Sequence, residues 1–360
     1  MDNDRFLRAV KRNCNVSDAK AWGYYSICGL LMRLRELFRS ERGLLPWDDI
    51  PSEEISSWIH ERETLWKELE EKDFERLPAG GSLYDPFDVD GVNGSIGNAG
   101  LLYGSGYGLF QKPGFLVAKL LEVKELLDYR IYYCGSELCR DLSASPAMLQ
   151  GRCIYLRTDV LRAIVWDKFQ TMRSRREGGL IEELFRRYKI TKAPAASGGL
   201  YGTIDVMARG ISDLFVLHEV GEAFEDDNSD EWHAVLSAGF DKYGELYLRA
   251  VKDLLADTST KGPLLEIVRR KDSELLYGYM VFLEGIRKEV FPEIGAAFRR
   301  FSQDGDWAEI ENAGMSGYSR AVQLRRTILE LWGLRRDAGD GVKTVTAFLR
   351  NTFSPGAGRS

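Results

Sequence analysis

The stretch 128–157, DYRIYYCGSELCRDLSASPAMLQGRCIYLR, decides how the chain is read. Its two ends, Arg130–Cys134 and Cys153–Arg157, are rich in β-branched and aromatic residues, which suit a pleated, half-buried surface. They are predicted to form two strands of one small antiparallel sheet. The segments around them carry helical patterning. The expected fold class is therefore mainly α: a helical N-terminal part with a small antiparallel β element and a Gly-rich loop, followed by an all-α C-terminal helical domain.

Working upstream, the run Phe115–Leu127 is predicted to be a short helix. Before it, residues 79–114 hold ten of the chain's 36 glycines, with Gly91, Gly94, Gly97 and Gly100 spaced by three. Such a tract permits positive φ and close backbone approach. It contains neither G-x-x-x-x-G-K-[ST] nor a G-x-G-x-x-G after a clear strand, so a structural loop and hairpin is the preferred reading and no nucleotide cofactor is predicted. Still earlier, Ser17 and Asp18 are candidate caps for a helix ending near Arg42-Gly43. A second helix is expected after Pro51-Ser52, with Ile55, Trp58, Ile59, Leu65, Trp66 and Leu69 on one stripe.

Downstream, Thr158-Asp159 open a further helix. The small, breaker-rich segment TKAPAASGG (191–199) is the expected boundary between a domain spanning 1–193 and an all-helical domain spanning 200–350. Within the latter, Gly262-Pro263 and Pro292 mark breaks or helix starts.

The formal charge of −6 and a pI near 5.4 argue against a nucleic-acid partner, which wants a basic surface. No apolar run approaches the ~20 residues that span a bilayer, so no membrane is expected. The opening residues lack the apolar region of a signal peptide, and five cysteines form an odd set suited to reduced thiols. A cytoplasmic location is the resulting expectation. Cys134, Cys139 and Cys153 make only a partial zinc-knuckle spacing and are better read as small apolar side chains.

The strongest chemical lead is ISDLFVLHEVGEAFEDD (211–227), where one of only three histidines sits in His-Glu-x-x-Glu. Taken as one helix over 203–226 at about 100° per residue, His218, Glu219 and Glu222 share an arc, while apolar residues cover nearly all other directions. Buried ionisable groups need partners. His218 and Glu222 are one helical turn apart and can reach one ion, as in H-E-x-x-H sites; Glu222 in place of the second histidine makes the site richer in oxygen and shifts the preference from Zn toward Fe or Mn. His218 and Glu222 are the expected ligands, and Glu219 a ligand or the catalytic base. Further candidate ligands on later helices are Glu284, His233, Asp253 and Asp257. The Gly-rich tract is then a candidate lid or wall, and a small-molecule substrate is compatible with the site.

NCNVSDAKAWGYYSICGLLMRLRELFR, followed by LLPW, resembles the start of an uncharacterised bacterial protein family, and the resemblance extends to the HEVGE region. It implies membership over most of the chain and carries no activity. Two functions remain open: a metal-dependent (Fe, Mn or Zn) hydrolase or oxidoreductase, or a non-catalytic binding or scaffold protein. In the second, aromatic N-terminal helices contact a partner and HEVGE is a buried salt-bridge network with Arg209, Arg249 or Arg287.

Overall fold

The run Phe115–Leu127, expected to be helical, lies instead, up to Leu126, in a 14-residue strand, Pro113–Leu126. That strand sits inside a five-stranded mixed sheet, which overturns the expected fold class: the N-terminal part is not a helical region with a small antiparallel element. Leu, Ala, Lys and Glu favour helix in isolation. Here Gly114 to Ala118 are buried in unbroken succession between two paired strands, and a continuous apolar run of this kind carries no period to separate strand from helix.

The computed structural model describes residues 3–108, 111–143, 145–174, 179–192, 197–225, 230–335 and 340–353. The chain divides into one unit of Met1–Ser174 with Ala196–Arg209, and another of Arg175–Ala195 with Gly210–Ser360. The expected boundary segment 191–199 falls partly outside the described residues. In chain order the elements are α1 (Asn3–Ala21), α2 (Ile27–Arg42), α3 (Ser52–Leu69), β1 (Leu77–Ala79), β2 (Ser82–Tyr84), α4 (Val89–Ile96) and β3 (Leu101–Tyr107). Next come β4 (Pro113–Leu126), β5 (Tyr129–Arg140), β6 (Ala147–Gln150), β7 (Cys153–Arg157), α5 (Thr158–Ser174), α6 (Leu180–Arg187) and α7 (Ser197–Gly210). The remainder is helical: α8 (Ser212–Glu225), α9 (Asp230–Leu236), α10 (Lys242–Thr258), α11 (Pro263–Arg270) and α12 (Ser273–Phe282). It ends with α13 (Ile286–Val290), α14 (Pro292–Asp304), α15 (Trp307–Arg335) and α16 (Gly341–Phe353).

The strand order is β3-β4-β5-β7-β6. Contrary to expectation, the two stretches first read as strands pair in parallel, from Arg130 opposite Cys153 to Cys134 opposite Arg157. The antiparallel neighbour of β7 is β6, joined to it through Gly151 at φ +55°. Register shifts between Val117 and Glu122 bend the β4–β5 pair and curl the sheet. The Gly-rich tract contributes β2, α4 and β3 to this same unit, with Val89, Val92, Ile96 and Tyr103 in its core.

Helix α1 joins two cores. Phe6, Ala9, Val10 and Cys14 pack with the sheet residues Tyr103, Phe115 and Val117, whereas Val16 and Ala19 pack with Leu34, Leu37 and Phe38 of α2 and Trp58 and Trp66 of α3. Ser17 and Asp18, expected as caps, lie inside α1 and are buried. The chain breaks after Ala21, and Ser26 caps α2, which ends at the left-handed Gly43 as expected.

Asp18 is held by Lys112, whose Nζ lies 3.0 Å from it and 2.9 Å from Asp141, all three being buried. Burial is the largest influence on Asp18 and raises its pKa to about 6 despite Lys112. Burial also pushes Asp141 up, but Lys112, Ser143 and Arg157 outweigh it and hold Asp141 well below the usual range. The sign for Asp18 follows from linkage. Below its ordinary value of 3.8 it is protonated both folded and unfolded; between 3.8 and about 6 only the unfolded chain ionises. Its contribution to stability therefore falls as pH rises through that window, by about 1–3 kcal/mol, and then levels off. Asp141 contributes oppositely, its stabilisation being lost only as pH falls below the usual carboxylate range. Urea melts of parent and Asp18→Asn from pH 4 to 7 should show this decline in the parent and a flatter profile in the variant; identical slopes would remove Asp18 as its cause.

Candidate functional site

The segment expected as one helix over 203–226 is two, α7 and α8, broken at Ile211. Gly210 lies against Tyr188, so close that a Cβ would stand 2.5 Å from its hydroxyl oxygen. Helix α8 then packs against α10. Gly221, inside His-Glu-x-Gly-Glu, makes this approach possible: a Cβ there would sit 2.3 Å from the carbonyl oxygen of Ala256. With the backbones this close, the one-turn pair His218 and Glu222 on α8 faces another one-turn pair, Asp253 and Asp257, on α10.

The imidazole is the hub. His218 Nδ1 lies 2.7 Å from Asp257 Oδ1, while Nε2 is 3.4 Å from Glu222 Oε1 and 3.9 Å from Asp253 Oδ1. Ligand atoms of His218, Glu222 and Asp253 lie within 4.8 Å of one another, the one such group of three among the described residues. Cations border the cluster. Arg287 of α13 donates from Nη2 to Asp257 Oδ2 at 2.6 Å and places Nε 3.2 Å from Asp253 Oδ2. Lys252 donates to Glu222 Oε2 at 2.6 Å, and the Tyr279 hydroxyl donates to Asp257 Oδ2 at 3.2 Å.

These contacts set the electrostatics. Burial is the largest influence on His218 and acts to lower its pKa, but Asp257 and Glu222 raise it well above 6.5. Burial likewise acts to raise Glu222, yet His218 and Lys252 hold it far below the usual range; Asp257 is lowered by Arg287 and His218 against burial. Asp253 is raised, because burial there outweighs Arg287 and His218.

The other expected site residues lie elsewhere in the same unit. Glu219 is half-buried beside His218 on α8. His233 is exposed on α9, and Glu284 is exposed between α12 and α13; neither belongs to the group of three. Of the arginines considered as charge partners, Arg287 reaches the cluster, while Arg249 donates to Glu245 at 2.7 Å. Tyr279 was not anticipated from the sequence. In the first unit, burial raises the Cys134 thiol to about 12 and the Cys139 thiol to about 11, which makes both inert.

Residues 5–157 match the N-terminal domain, and residues 162–348 the C-terminal domain, of a family of unknown function (DUF6866). The chain belongs to that family. No curated protein and no solved structure matches it.

Proposed function

We propose that the His218 cluster is a divalent-metal centre with nitrogen and oxygen ligands, and that the protein is a metal-dependent enzyme acting on a small molecule. One observation carries this reading: His218 Nε2 faces two carboxylates from two helices, while Nδ1 is fixed by a third, Asp257. Donor atoms around an ion bound at about 2.0–2.2 Å stand roughly 3 Å apart, so only small side-chain shifts separate the observed spacings from a coordinated set. An Nδ1–H···Asp257 bond orients the ring with Nε2 toward the ion, which would bind there by displacing the Nε2 proton to solvent; holding Nδ1 in this way is the role that outer carboxylates play at metal-bound histidines. The ligands are His218, Glu222 and Asp253, with Asp257 outside them. The oxygen-rich set suits Fe or Mn, with Zn next. A three-ligand ion leaves positions for water or oxygen, giving hydrolytic or oxidative chemistry. Glu219 is the proposed proton acceptor.

A second reading has its own observation. Arg287 and Lys252 already supply positive charge to all three carboxylates, which is how a purely structural salt-bridge network is held together.

Elemental analysis of chelator-free protein, beside His218→Ala and Glu222→Ala, separates the two. Near-stoichiometric metal in the parent, lost in both folded variants, is the expected result. A metal-free parent that takes up neither Fe, Mn nor Zn leaves the structural network as the answer.

A further inference from the structure

Helix α2 buries Leu34, Leu37 and Phe38 against α1 and α3; Ile27 and Leu31 continue the stripe of Leu34 and Phe38, but the N-terminal half of the helix runs past that core and leaves them bare. Ile27 is 80% exposed, Leu31 and Met32 are about half exposed, and Trp22 and Tyr24 just before the helix are similarly open. Five large apolar side chains thus lie together in one short stretch, where scattered single residues are the norm for a soluble surface. The charge around them is equally uneven. From Ala19 to Arg35 there is no Asp or Glu, and the stretch holds Lys20, Arg33 and Arg35, in a chain whose net charge is −6. Lys20 and Arg35 are exposed, whereas Arg33 turns inward and donates to the Leu142 carbonyl at 3.0 Å.

We propose that the segment 20–35 docks the protein reversibly on an anionic lipid surface. Ile27, Leu31 and Met32 enter the acyl boundary, Trp22 and Tyr24 lie at headgroup level, and Lys20 and Arg35 meet the negative headgroups. Exposed apolar and aromatic side chains with basic residues beside them are what an interfacial segment presents to a lipid surface. Charge complementarity selects the occupant. A second copy of the chain would bring Lys20 and Arg35 toward their like-charged equivalents, which costs energy. The nearly full exposure of Ile27 describes a protruding tip; a bilayer deforms around such a tip, whereas a protein partner needs a matching groove. No helix among the described residues is long and apolar enough to cross a membrane, so the attachment is to a surface. The patch lies in the first unit and the His218 cluster in the second, so the two proposals stand or fall separately.

The test is vesicle flotation of the full chain with pure phosphatidylcholine and with phosphatidylcholine mixed with phosphatidylserine. Parent protein should float with the mixed vesicles, bind the neutral ones poorly, and lose binding as salt rises, since screening shortens the reach of surface charge. Ile27→Glu with Leu31→Glu, at exposed positions that leave the fold intact by circular dichroism, should weaken binding at least about tenfold. Lys20→Glu with Arg35→Glu should weaken binding to the anionic vesicles by at least about tenfold as well. A parent that stays unbound with the anionic vesicles at low salt overturns the proposal. So does an Ile27→Glu/Leu31→Glu variant that floats as well as the parent. Lipid-free, concentration-dependent dimerisation abolished by Leu31→Glu would reassign the patch to self-association and overturn it too.

Discussion

Gly221→Ala should destabilise the second unit by about 3 kcal/mol, or roughly 10 °C in melting temperature, and should abolish the metal uptake proposed for His218. The added methyl group would meet the Ala256 carbonyl oxygen at 2.3 Å and its carbon at 2.9 Å, and these are backbone atoms that no rotamer change removes. Relief requires α8 and α10 to part, and the two carboxylates on α10 then move away from the imidazole on α8. Alanine is otherwise the better helix former by up to about 1 kcal/mol, so propensity predicts the opposite sign. Gly333→Ala is the control: it lies in α15 with no atom within 4 Å of an added Cβ, and it should be neutral or slightly stabilising. Thermal melts of the three proteins decide the matter, and a Gly221→Ala protein as stable as the parent would refute the close-contact account.

The same glycine shows what the sequence conveyed and what it withheld. His218, Glu222 and their one-turn spacing were legible because a helix fixes which residues share a face. Their partners required knowing which helix lies opposite. Asp253 and Asp257 repeat the four-residue spacing of His218 and Glu222, and two such pairs are what facing helices need to enclose a centre. Glu284 stood out instead because it follows an apolar-aromatic run, yet that run closes at α12 and leaves Glu284 exposed. Gly221 itself marked the close approach, since a glycine inside a helix lowers its stability unless another backbone needs the room.

The sheet was harder to read for a different reason. Strand β4 has helix-forming composition, and pairing on both sides overrides it, as tertiary context routinely does. The parallel pairing of β5 with β7 is set by the short hairpin strand β6, whose Ala147–Gln150 is too brief to announce itself by pattern. Ser17 and Asp18 have the chemistry of caps, but Lys112, distant in sequence, gives Asp18 a buried partner and lets the helix run through them.

Arg287→Met should cost about 1–3 kcal/mol in chelator-treated protein, because it strips the buried Asp257 of its guanidinium and removes the closest cation from Asp253, the arginine being itself partly screened by solvent. Asp257 would keep the His218 imidazolium and the Tyr279 hydroxyl, but that one imidazolium then also faces Asp253, which has lost its guanidinium. The consequence for metal binding runs the other way. Arg287 repels any cation entering between His218, Glu222 and Asp253, so its removal makes the pocket more negative and should tighten Mn or Zn binding relative to the parent. An ion that binds only the folded state returns stability by mass action, about 2.7 kcal/mol at a hundredfold excess over Kd. The expected result is therefore a variant that melts well below the parent without metal and recovers most of the difference with it. A loss of stability that neither Mn nor Zn restores would mean that Arg287 belongs to a structural network and competes with nothing. Recovery in Arg287→Met, absent when His218→Ala is added, would tie the rescue to the imidazole and identify the arginine as the group that the ion displaces.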